Sequence, residues 1–366
     1  MEEPKRVLHV IQRMEAAGSQ TLLMNLYRNI DRSRLQFDFL VHYKEKQFFD
    51  SEIEELGGKV YRLSVREDYN FVKYYSQLNK FFQEHDEYKV VHGHMHSLGA
   101  VYLNCAKRRG VPVRIAHSHS NSSARNMKRY IKEIMINLYK KNANYLFACS
   151  KDAGKYMFGD SEFSVINNAI DSEKFIFNSD IRNKLREELN IKNKFVLGHV
   201  GRFEIPKNHN FLIEVFSEYC KMNNDAVLLL IGTGSLEEKI REKVNKLELA
   251  GKVIFLGNRR DVEQLYQAMD VFLFPSLFEG LGIVAVEAQA AGLPCICSEN
   301  LPNEINLSTL FHPISLKDSI SMWTKKIKIE SESNKQRIDM SDSIKKAGYD
   351  IKYLAREMEN FYLSKY

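Results

Sequence analysis

The chain has 366 residues, of which 44% are hydrophobic and 27% are charged, with 18 glycines and 7 prolines. This length suits about two domains, and the composition excludes disordered, collagen-like and disulfide-scaffold proteins. The net charge is +6, and the whole excess lies in residues 1–178. No acidic residue occurs between Glu87 and Glu133, whereas nine Lys or Arg do, which predicts a polyanionic partner for this stretch.

Targeting signals and cysteine spacing indicate the compartment. The five cysteines have neither metal-ligand nor C-x-x-C spacing, so we expect free thiols in the cytoplasm. The first residues, MEEPKRVLHVIQ, lack the pattern of a signal peptide. The longest apolar segment, 281–297, is interrupted by Glu287, Gln289, Gly292 and Pro294, so we expect no transmembrane helix.

Short apolar runs, often β-branched, alternate with longer helix-period segments along the chain. In the first half the predicted strands are 6–11, 37–41, 59–63, 89–92, 113–116, 145–149 and 164–166. In the second half they are 195–200, 226–231, 253–256, 271–274 and 294–298. Strands that are apolar on both faces and alternate with helices predict parallel sheets covered by helices.

The polar stretch 171–193 separates the two series of strands. We therefore predict two doubly wound α/β domains, residues 1–178 and 179–349. The amphipathic segment 350–366 is predicted to be a helix that packs back on the first domain. In such sheets, ligands bind beyond the carboxyl ends of the strands, so the segments that follow the strands are the places to search for a site.

The most informative segment is PSLFEGLGIVAVEAQAAGLPCICS, residues 275–298. A helix that begins near Gly282 would direct free N–H groups toward the strand ends, which predicts a phosphate site. Glu279 lies in the preceding loop. Glu287 lies within an apolar run, where a buried carboxylate needs partners such as sugar or ribose hydroxyls. The alternative for two glutamates at this spacing is a solvated helix face.

A second segment, GHVGRFEIPKN at 198–208, directly follows a predicted strand. Arg202 and Lys207 can converge there on one anionic group. The alternative is that the two side chains are solvated on the surface and have no binding role. Two glycine turns are weaker signals. Gly232 begins a Gly-Thr-Gly turn. This turn does not complete the G-x-G-x-x-G fingerprint of dinucleotide-binding proteins, because Glu237 occupies the position of the third glycine. Gly18 follows the first strand.

Histidines end two strands, with His92 and His94 after one and His117 and His119 after another. An imidazole at a strand end can act as a hydrogen-bond donor or as an acid or base. A metal site is the alternative, but the sequence has no H-E-x-x-H or cysteine cluster, and no Asp-x-Asp that would hold a metal–nucleotide complex. We therefore expect no metal and no other cofactor.

The acid-free stretch leads into RNMKRYIKEIMINLYKK, beginning at Arg125. It predicts a cationic amphipathic helix in which Arg125, Lys128, Arg129 and Lys132 bind anionic lipid or an anionic acceptor. The alternative is a core-packed helix with a solvated basic face.

Three segments occur in the order of a known family: Gly-Arg-Phe…Lys-Asn at 201–208, Ile-Gly-Thr-Gly at 231–234, and Pro-Ser…Glu-Gly-Leu-Gly…Glu-Ala…Ala-Gly-Leu-Pro at 275–294. Together they resemble the donor half of family 4 retaining glycosyltransferases. Gly18 and the run Arg-Ile-Ala-His-Ser-His-Ser at 114–120 resemble the acceptor half of bacterial capsule and exopolysaccharide members, although residue 17 is Ala where the family often has Gly.

The resemblance implies the GT-B architecture, with two Rossmann-like doubly wound domains facing across a cleft. It implies that Arg202 and Lys207 bind the donor diphosphate, that Glu287 binds the ribose and that Glu279 contacts the sugar. It places His119 near the transferred sugar, with His117 as the alternative. Further donor contacts are implied for Gly18, Gly232, Asn258, Arg259, Gly280, Gly282 and Ile283, of which Asn258 and Arg259 lie where the family reads the base.

The implied function is retaining, metal-independent transfer of a hexose from a nucleotide diphosphate sugar, with UDP the expected nucleotide. The expected acceptor is a glycan or a lipid-diphosphate-linked sugar in cell-surface polysaccharide synthesis. The expected location is cytoplasmic and peripheral on the inner face of the plasma membrane. A nucleotide-sugar epimerase and a non-enzymatic polyanion-binding protein are the alternatives. No nucleic-acid partner is expected.

Overall fold

The computed structural model describes residues 3–65, 70–95, 98–119, 129–333 and 336–366, with the side chains of residues 129–133 excepted. The chain divides into two compact units. Unit 1 is Met1–Ile170 together with Ile351–Tyr366, and unit 2 is Asp171–Asp350. The chain thus passes from unit 1 to unit 2 after residue 170, whereas the sequence analysis predicted this domain boundary after residue 178.

Unit 1 is a parallel sheet in the order β3-β2-β1-β4-β5-β6-β7, with helices between the strands. Its strands are β1 Lys5–Val10, β2 Leu35–Val41, β3 Val60–Arg62, β4 Val90–Gly93, β5 Val113–Ser118, β6 Tyr145–Ala148 and β7 Ser164–Val165. Its helices are α1 Gly18–Asn29, α2 Asp50–Glu55, α3 Phe71–Glu84, α4 Gly99–Arg108, α5 Arg129–Asn142, α6 Lys151–Phe158 and α14 Ile351–Leu363.

Unit 2 is a second parallel sheet, in the order β10-β9-β8-β11-β12-β13. Its strands are β8 Phe195–Val200, β9 Ala226–Ile231, β10 Val253–Gly257, β11 Val271–Phe274, β12 Cys295–Ser298 and β13 Phe311–Ile314. Its helices are α7 Ser179–Glu188, α8 His209–Met222, α9 Glu237–Lys246, α10 Val262–Ala268, α11 Ile283–Ala290, α12 Ile320–Glu332 and α13 Ser341–Lys346.

In both sheets the strand order reverses direction at one point. In unit 1 the reversal lies between β1 and β4, and in unit 2 it lies between β8 and β11. Consecutive crossovers leave to opposite sides there, so the loops after the two strands separate and open a crevice beyond their carboxyl ends. This topology identifies one place in each unit where a ligand can reach the ends of the strands.

Helix α14 completes the core of unit 1 although its residues come last in the chain. Met358 and Tyr362 lie among the buried residues that also include Tyr27 of α1 and Phe37 of β2. Glu359 accepts hydrogen bonds from Arg34 Nη1 at 3.0 Å and from the backbone N–H of Asp31 at 2.9 Å. The segment predicted to pack back on the first domain is thus a helix of unit 1.

The structure contains a strand at each of the twelve positions predicted from the sequence. It also contains β13, which the sequence analysis missed. This edge strand is half-buried to exposed and includes Pro313, so it lacks the continuous apolar run that marks the other strands of unit 2.

The packing of α14 can be tested with Met358→Ala, which removes a side chain that is 3% exposed. We expect this change to lower the free energy of unfolding of unit 1 by about 2–5 kcal/mol, because it leaves a cavity in the core. Denaturant unfolding provides the measurement. The neighbouring Glu357 is exposed, and Glu357→Ala should change stability by less than about 0.5 kcal/mol. Equal effects of the two substitutions would contradict this packing.

Candidate active site

The loop after β8 begins with Gly201 and carries the two cations identified in the sequence. A Cβ on Gly201 would lie 2.9 Å from His199 Nε2 and 3.1 Å from Lys207 Cδ, so glycine leaves room for both side chains. Arg202 is exposed, and its side chain makes no hydrogen bond or ion pair within the described part of unit 2. Its guanidinium is therefore available to an anionic ligand.

Lys207 is held by the loop that follows β11. Its Nζ lies 2.6 Å from Glu279 Oε1, and their side chains are 17% and 13% exposed. The ammonium also lies 4.8 Å from the centre of the Phe274 ring. Lys207 and Glu279, expected to contact different parts of the donor, thus form an ion pair. An ammonium has three N–H groups, so Lys207 can bind a phosphate while it keeps this pair.

Helix α11 begins where the sequence predicted. Gly282 is its N-cap with φ +89°, a conformation that favours glycine, and Ile283 is the first helical residue. The backbone N–H of Ala285 bonds Gly282 O at 2.9 Å. The first N–H groups of a helix lack partners within it and attract anions, so Gly282 and Ile283 can present N–H groups to a ligand. Gly280 lies just before them in the same loop.

Glu287 lies one turn further along α11 and is buried, as its apolar sequence context predicted. Tyr266 donates its hydroxyl hydrogen to Glu287 Oε2 at 3.0 Å and lies 3.2 Å from Val284 O. Burial raises the pKa of the Glu287 carboxyl to about 7, while the Tyr266 hydrogen bond and the positive charge of Lys207 oppose this rise. Near neutral pH this carboxyl therefore gains or loses a proton easily.

The remaining predicted donor residues lie after β9 and β10. Gly232 has φ +130°, and a Cβ there would lie 2.3 Å from Gly201 O, so glycine lets the β8 and β9 loops touch. Asn258 is exposed. Arg259 forms a two-point ion pair with Asp261, at 2.8 Å from Nε and 2.6 Å from Nη2. If Arg259 contacts the base of the donor, its guanidinium must therefore bind the base and Asp261 at the same time.

In unit 1, Gly18 is the first residue of α1, which follows β1. Ala17, the N-cap, has extended backbone and provides no side-chain hydrogen bond to the helix. This helix start and the ends of β4 and β5 lie at the same edge of the sheet, because parallel strands end together.

Five histidines of unit 1 form two hydrogen-bonded series at this edge. In the first, His9 Nδ1 lies 3.1 Å from His94 Nε2, and His94 Nδ1 lies 2.8 Å from His119 Nε2. In the second, His117 Nδ1 lies 3.0 Å from His92 Nε2, and His92 Nδ1 lies 2.6 Å from the hydroxyl of Tyr362 in α14. His117 is buried and His119 is partly exposed.

These histidines also have the spacing of a possible cation site. Nitrogens of His9, His92 and His94 lie within 4.8 Å of one another, and so do nitrogens of His94, His117 and His119. Imidazole is the commonest protein ligand of metal ions, zinc among them. Within both sets, however, ring nitrogens are already paired with each other at hydrogen-bond distance.

The predicted cationic helix is only partly described. Arg125 and Lys128 lie outside the described residues. Arg129 and Lys132 belong to α5, but their side chains also lie outside the described part. No described helix is both long enough and apolar enough to cross a bilayer.

Comparison with known proteins identifies the family. Residues 16–174 match the family described as Glycosyltransferase Family 4, and residues 181–305 match Glycosyl transferases group 1. EpsF of Bacillus subtilis (strain 168), which is named as a glycosyltransferase, is 32% identical over 369 residues, which cover 98% of this chain and 96% of EpsF. The chain belongs to the family 4 glycosyltransferases.

One further relative and one solved structure are informative about this glycosyltransferase. The Escherichia coli protein named UDP-Gal:alpha-D-GlcNAc-diphosphoundecaprenol alpha-1,3-galactosyltransferase is 31% identical over 229 residues, or 58% of each chain. The crystal structure of HepE from Anabaena with UDP-glucose matches with a TM-score of 0.81 and 19% identity over 98% of this chain and 99% of HepE. The structural likeness confirms the GT-B fold that the sequence predicted.

Some residues of this site were missed in the sequence. Tyr266, the partner of Glu287, lies in α10 and has no local signal that distinguishes it from a core tyrosine. His9 lies in β1. Its position within the apolar run VLHV was a signal that this histidine is buried and could lie near the other strand-end histidines. Ser276, two residues after β11, has a buried hydroxyl without a hydrogen-bond partner among the described residues.

The raised pKa of Glu287 predicts a pH effect on stability. The usual value is 4.5, and the folded protein holds this proton up to a pH of about 7. Between these values the native state binds more protons than the unfolded state, so the free energy of unfolding of unit 2 falls as pH rises. Glu287→Gln, which is always neutral, should remove up to about 3 kcal/mol of this fall.

Denaturant unfolding at a series of pH values measures the effect. Glu238 is exposed on α9 of unit 2, and Glu238→Gln is the control that should keep the wild-type pH dependence. Parallel curves for wild type and Glu287→Gln would contradict the assigned pKa.

Proposed function

We propose that this glycosyltransferase moves a hexose from a UDP-sugar to a lipid-diphosphate-linked acceptor or growing glycan, with retention at the anomeric carbon and without a metal ion. The observation that carries the proposal is the loop after β8, which contains the exposed Arg202 and also Lys207, whose ion pair with Glu279 joins it to the loop that leads into the N-cap of α11. A diphosphate is the anion that such a set of donors fits.

The relatives support the chemical class of both substrates. The E. coli relative is named for a UDP-galactose donor and a diphosphoundecaprenol-linked acceptor. HepE was crystallised with UDP-glucose. The absence of Asp-x-Asp from the sequence supports a role for protein cations, instead of a metal ion, at the diphosphate.

In the proposed reaction, the bond between the anomeric carbon and the UDP oxygen breaks, and the acceptor hydroxyl oxygen bonds the same face of that carbon. The hydroxyl proton passes to the departing phosphate oxygen. Arg202, Lys207 and the first N–H groups of α11 stabilise the charge that develops on the diphosphate. Glu287 binds the ribose hydroxyls and Glu279 contacts the sugar. For unit 1, we propose that His119 hydrogen-bonds a substrate hydroxyl.

The proposal is tested by incubating the full chain with a panel of labelled UDP-, GDP- and ADP-hexoses and an undecaprenyl-diphosphate-linked sugar. We expect transfer of one UDP-hexose in the presence of EDTA, with the anomeric configuration of the donor in the product. Sugar that is isomerised without an acceptor would favour the epimerase alternative. No turnover of any donor would contradict the proposal.

In the same assay, Arg202→Ala should lower UDP affinity and the transfer rate by about 10–100-fold, because it removes charge-assisted hydrogen bonds to the diphosphate. Calorimetric titration with UDP gives the affinity. Since Arg202 is exposed without a described partner, the free energy of unfolding should be unchanged. Arg356→Ala, at an exposed position of α14, is the matched control. Wild-type UDP affinity in Arg202→Ala would contradict the assignment.

We propose peripheral binding to an anionic membrane surface through α5. Ile134 and Leu138 lie one turn apart on this helix and are 59% and 42% exposed, and the exposed Lys141 lies on the same side. Apolar side chains flanked by lysines suit the boundary between lipid headgroups and acyl chains. The basic residues Lys128, Arg129 and Lys132 of the predicted cationic segment add to the charge of the stretch.

Membrane binding is measured by sedimentation with vesicles of phosphatidylglycerol or phosphatidylcholine. We expect binding to the anionic vesicles alone, and at least a tenfold loss for the double variant Ile134→Ser with Leu138→Ser, which removes about 0.8 kcal/mol per buried methylene. Ile329→Ser is the control, because Ile329 is similarly exposed, at 49%, in unit 2.

Charge reversal at Lys128, Arg129 and Lys132 provides an independent comparison and should also release the protein from anionic vesicles. Sedimentation that is unchanged in both the apolar and the charge-reversal variants would refute the membrane proposal.

A further inference from the structure

One arginine binds the C-terminal ends of both helices that form the surroundings of Glu287. Helix α10 carries Tyr266 and ends at Ala268, and α11 carries Glu287 and ends at Ala290. The last carbonyl groups of a helix have no partners within it and need donors from elsewhere. The group that supplies these donors therefore influences how Tyr266 and Glu287 meet.

Arg337, which lies after α12, supplies donors to both helix ends. Its Nη1 donates to Tyr266 O at 3.0 Å and to O of Ala291, the C-cap residue of α11, at 3.3 Å. Its Nη2 donates to Gln267 O at 3.4 Å and to Met269 O. Every hydrogen bond that this guanidinium makes within the described part of unit 2 thus goes to a backbone carbonyl. Because its N–H groups have fixed directions, the planar guanidinium holds the two helix ends at a fixed separation.

The backbone at Arg337 fits closely against the end of α11. Gly292, the residue after the C-cap, has φ +68°, and a Cβ there would lie 2.7 Å from Ile338 O and 3.3 Å from Arg337 Cβ. The guanidinium also lies 4.8 Å from the centre of the Phe177 ring. The close approach at Gly292 and the contact with Phe177 therefore hold Arg337 against the two helix ends.

Tyr266 is held at both of its ends. Its carbonyl accepts from Arg337, and its hydroxyl donates to Glu287 Oε2 at 3.0 Å. The side chain between them is completely buried. Since a tyrosine side chain has only two torsions and both have preferred values, a movement of the carbonyl end displaces the hydroxyl relative to Glu287. The backbone contact of Arg337 is therefore linked to the hydrogen bond at the Glu287 carboxyl.

We propose that Arg337 is a positioning residue for donor binding, which aligns the Tyr266 hydroxyl with Glu287 by joining the ends of α10 and α11. It acts through Tyr266 on Glu287, and the inference rests on the proposed function in taking the ribose as the ligand of that carboxyl. A carboxylate that is aligned in advance loses little further side-chain freedom when the ribose binds, which strengthens binding.

The role is tested by calorimetric titration of the full chain at pH 8 with UDP and with 2′,3′-dideoxy-UDP, which lacks the ribose hydroxyls. We expect the wild type to prefer UDP by at least about tenfold, because the analogue loses hydrogen bonds to a charged group. Tyr266→Phe and Arg337→Gln should each reduce this preference by about three- to tenfold, through weaker UDP binding. An unchanged preference in Arg337→Gln would overturn the proposal.

Arg337→Lys is the conservative variant, and it also serves if Arg337→Gln does not fold. Lysine keeps the positive charge, but its single nitrogen cannot replace both Nη1 and Nη2. We expect a preference for UDP between those of the wild type and Arg337→Gln. A preference equal to that of the wild type would overturn the proposal, because charge alone would then be sufficient.

Arg182→Gln is the matched control. Arg182 Nη1 donates to Gln267 O at 2.9 Å and to Met269 O at 2.8 Å, at the same end of α10. Among the described residues, it bonds neither Tyr266 nor α11. This variant should lower the free energy of unfolding of unit 2 and keep the wild-type preference for UDP. An equal loss of preference in Arg182→Gln would assign the effect to a general loosening of α10 and overturn the specific role of Arg337.

A double variant shows whether Arg337 acts through Tyr266. Once Tyr266→Phe has removed the hydroxyl, Arg337→Gln should lower UDP affinity little further, whereas independent effects would multiply. Effects that multiply would overturn the route through Tyr266.

A measurement without a nucleotide separates this inference from the proposed function. Burial and the charge of Glu263 raise the pKa of the Glu287 carboxyl, whereas the Tyr266 hydrogen bond and the charge of Lys207 lower it. Loss of that hydrogen bond should therefore raise this pKa in Tyr266→Phe and in Arg337→Gln, as followed by the ¹³C shift of the carboxyl. No rise in Arg337→Gln would overturn the proposal. If the wild type binds both nucleotides equally, the ribose contact in the proposed function fails, while this titration still decides whether Arg337 positions Tyr266.

Discussion

The parallel pairing of β8 with β11 is the constraint on which the site in unit 2 depends. Val271 lies beside Leu197 in this pair, so the two strands end together although more than 70 residues separate them. The loops that follow are then joined by the hydrogen bond from Leu277 N–H to Pro206 O at 2.8 Å and by the ion pair between Lys207 and Glu279. A change in that strand order would separate the cations from the start of α11.

The two units use one topology for different chemistry. In unit 2 the strand ends carry full charges, and one cation, Arg202, faces solvent without a partner in the described part of that unit. In unit 1 the corresponding strand ends carry imidazoles, four of which are buried and pair with each other or with Tyr362. Charged groups suit an anionic diphosphate, whereas neutral imidazoles suit hydroxyl groups, which need both donors and acceptors.

The sequence predicts those parts of the molecule that depend on neighbouring residues. Apolar β-branched runs marked the strands, glycine at 282 marked the start of α11, and an apolar context marked Glu287 as buried. Contacts between distant elements gave no such signal, as the Lys207–Glu279 pair and the hydrogen bond from Tyr266 to Glu287 illustrate. Such contacts are set by strand order, which hydrophobic periodicity does not encode.

The position of α14 has a consequence for the order of events during synthesis. Unit 2 is one continuous segment, Asp171–Asp350, so all of it has been translated before α14 leaves the ribosome. Until then the nascent unit 1 lacks Met358 and Tyr362, and the apolar surface around Tyr27 and Phe37 stays uncovered. The half of the chain that is made first is therefore the half that matures last, and it is the one that needs protection from aggregation during translation.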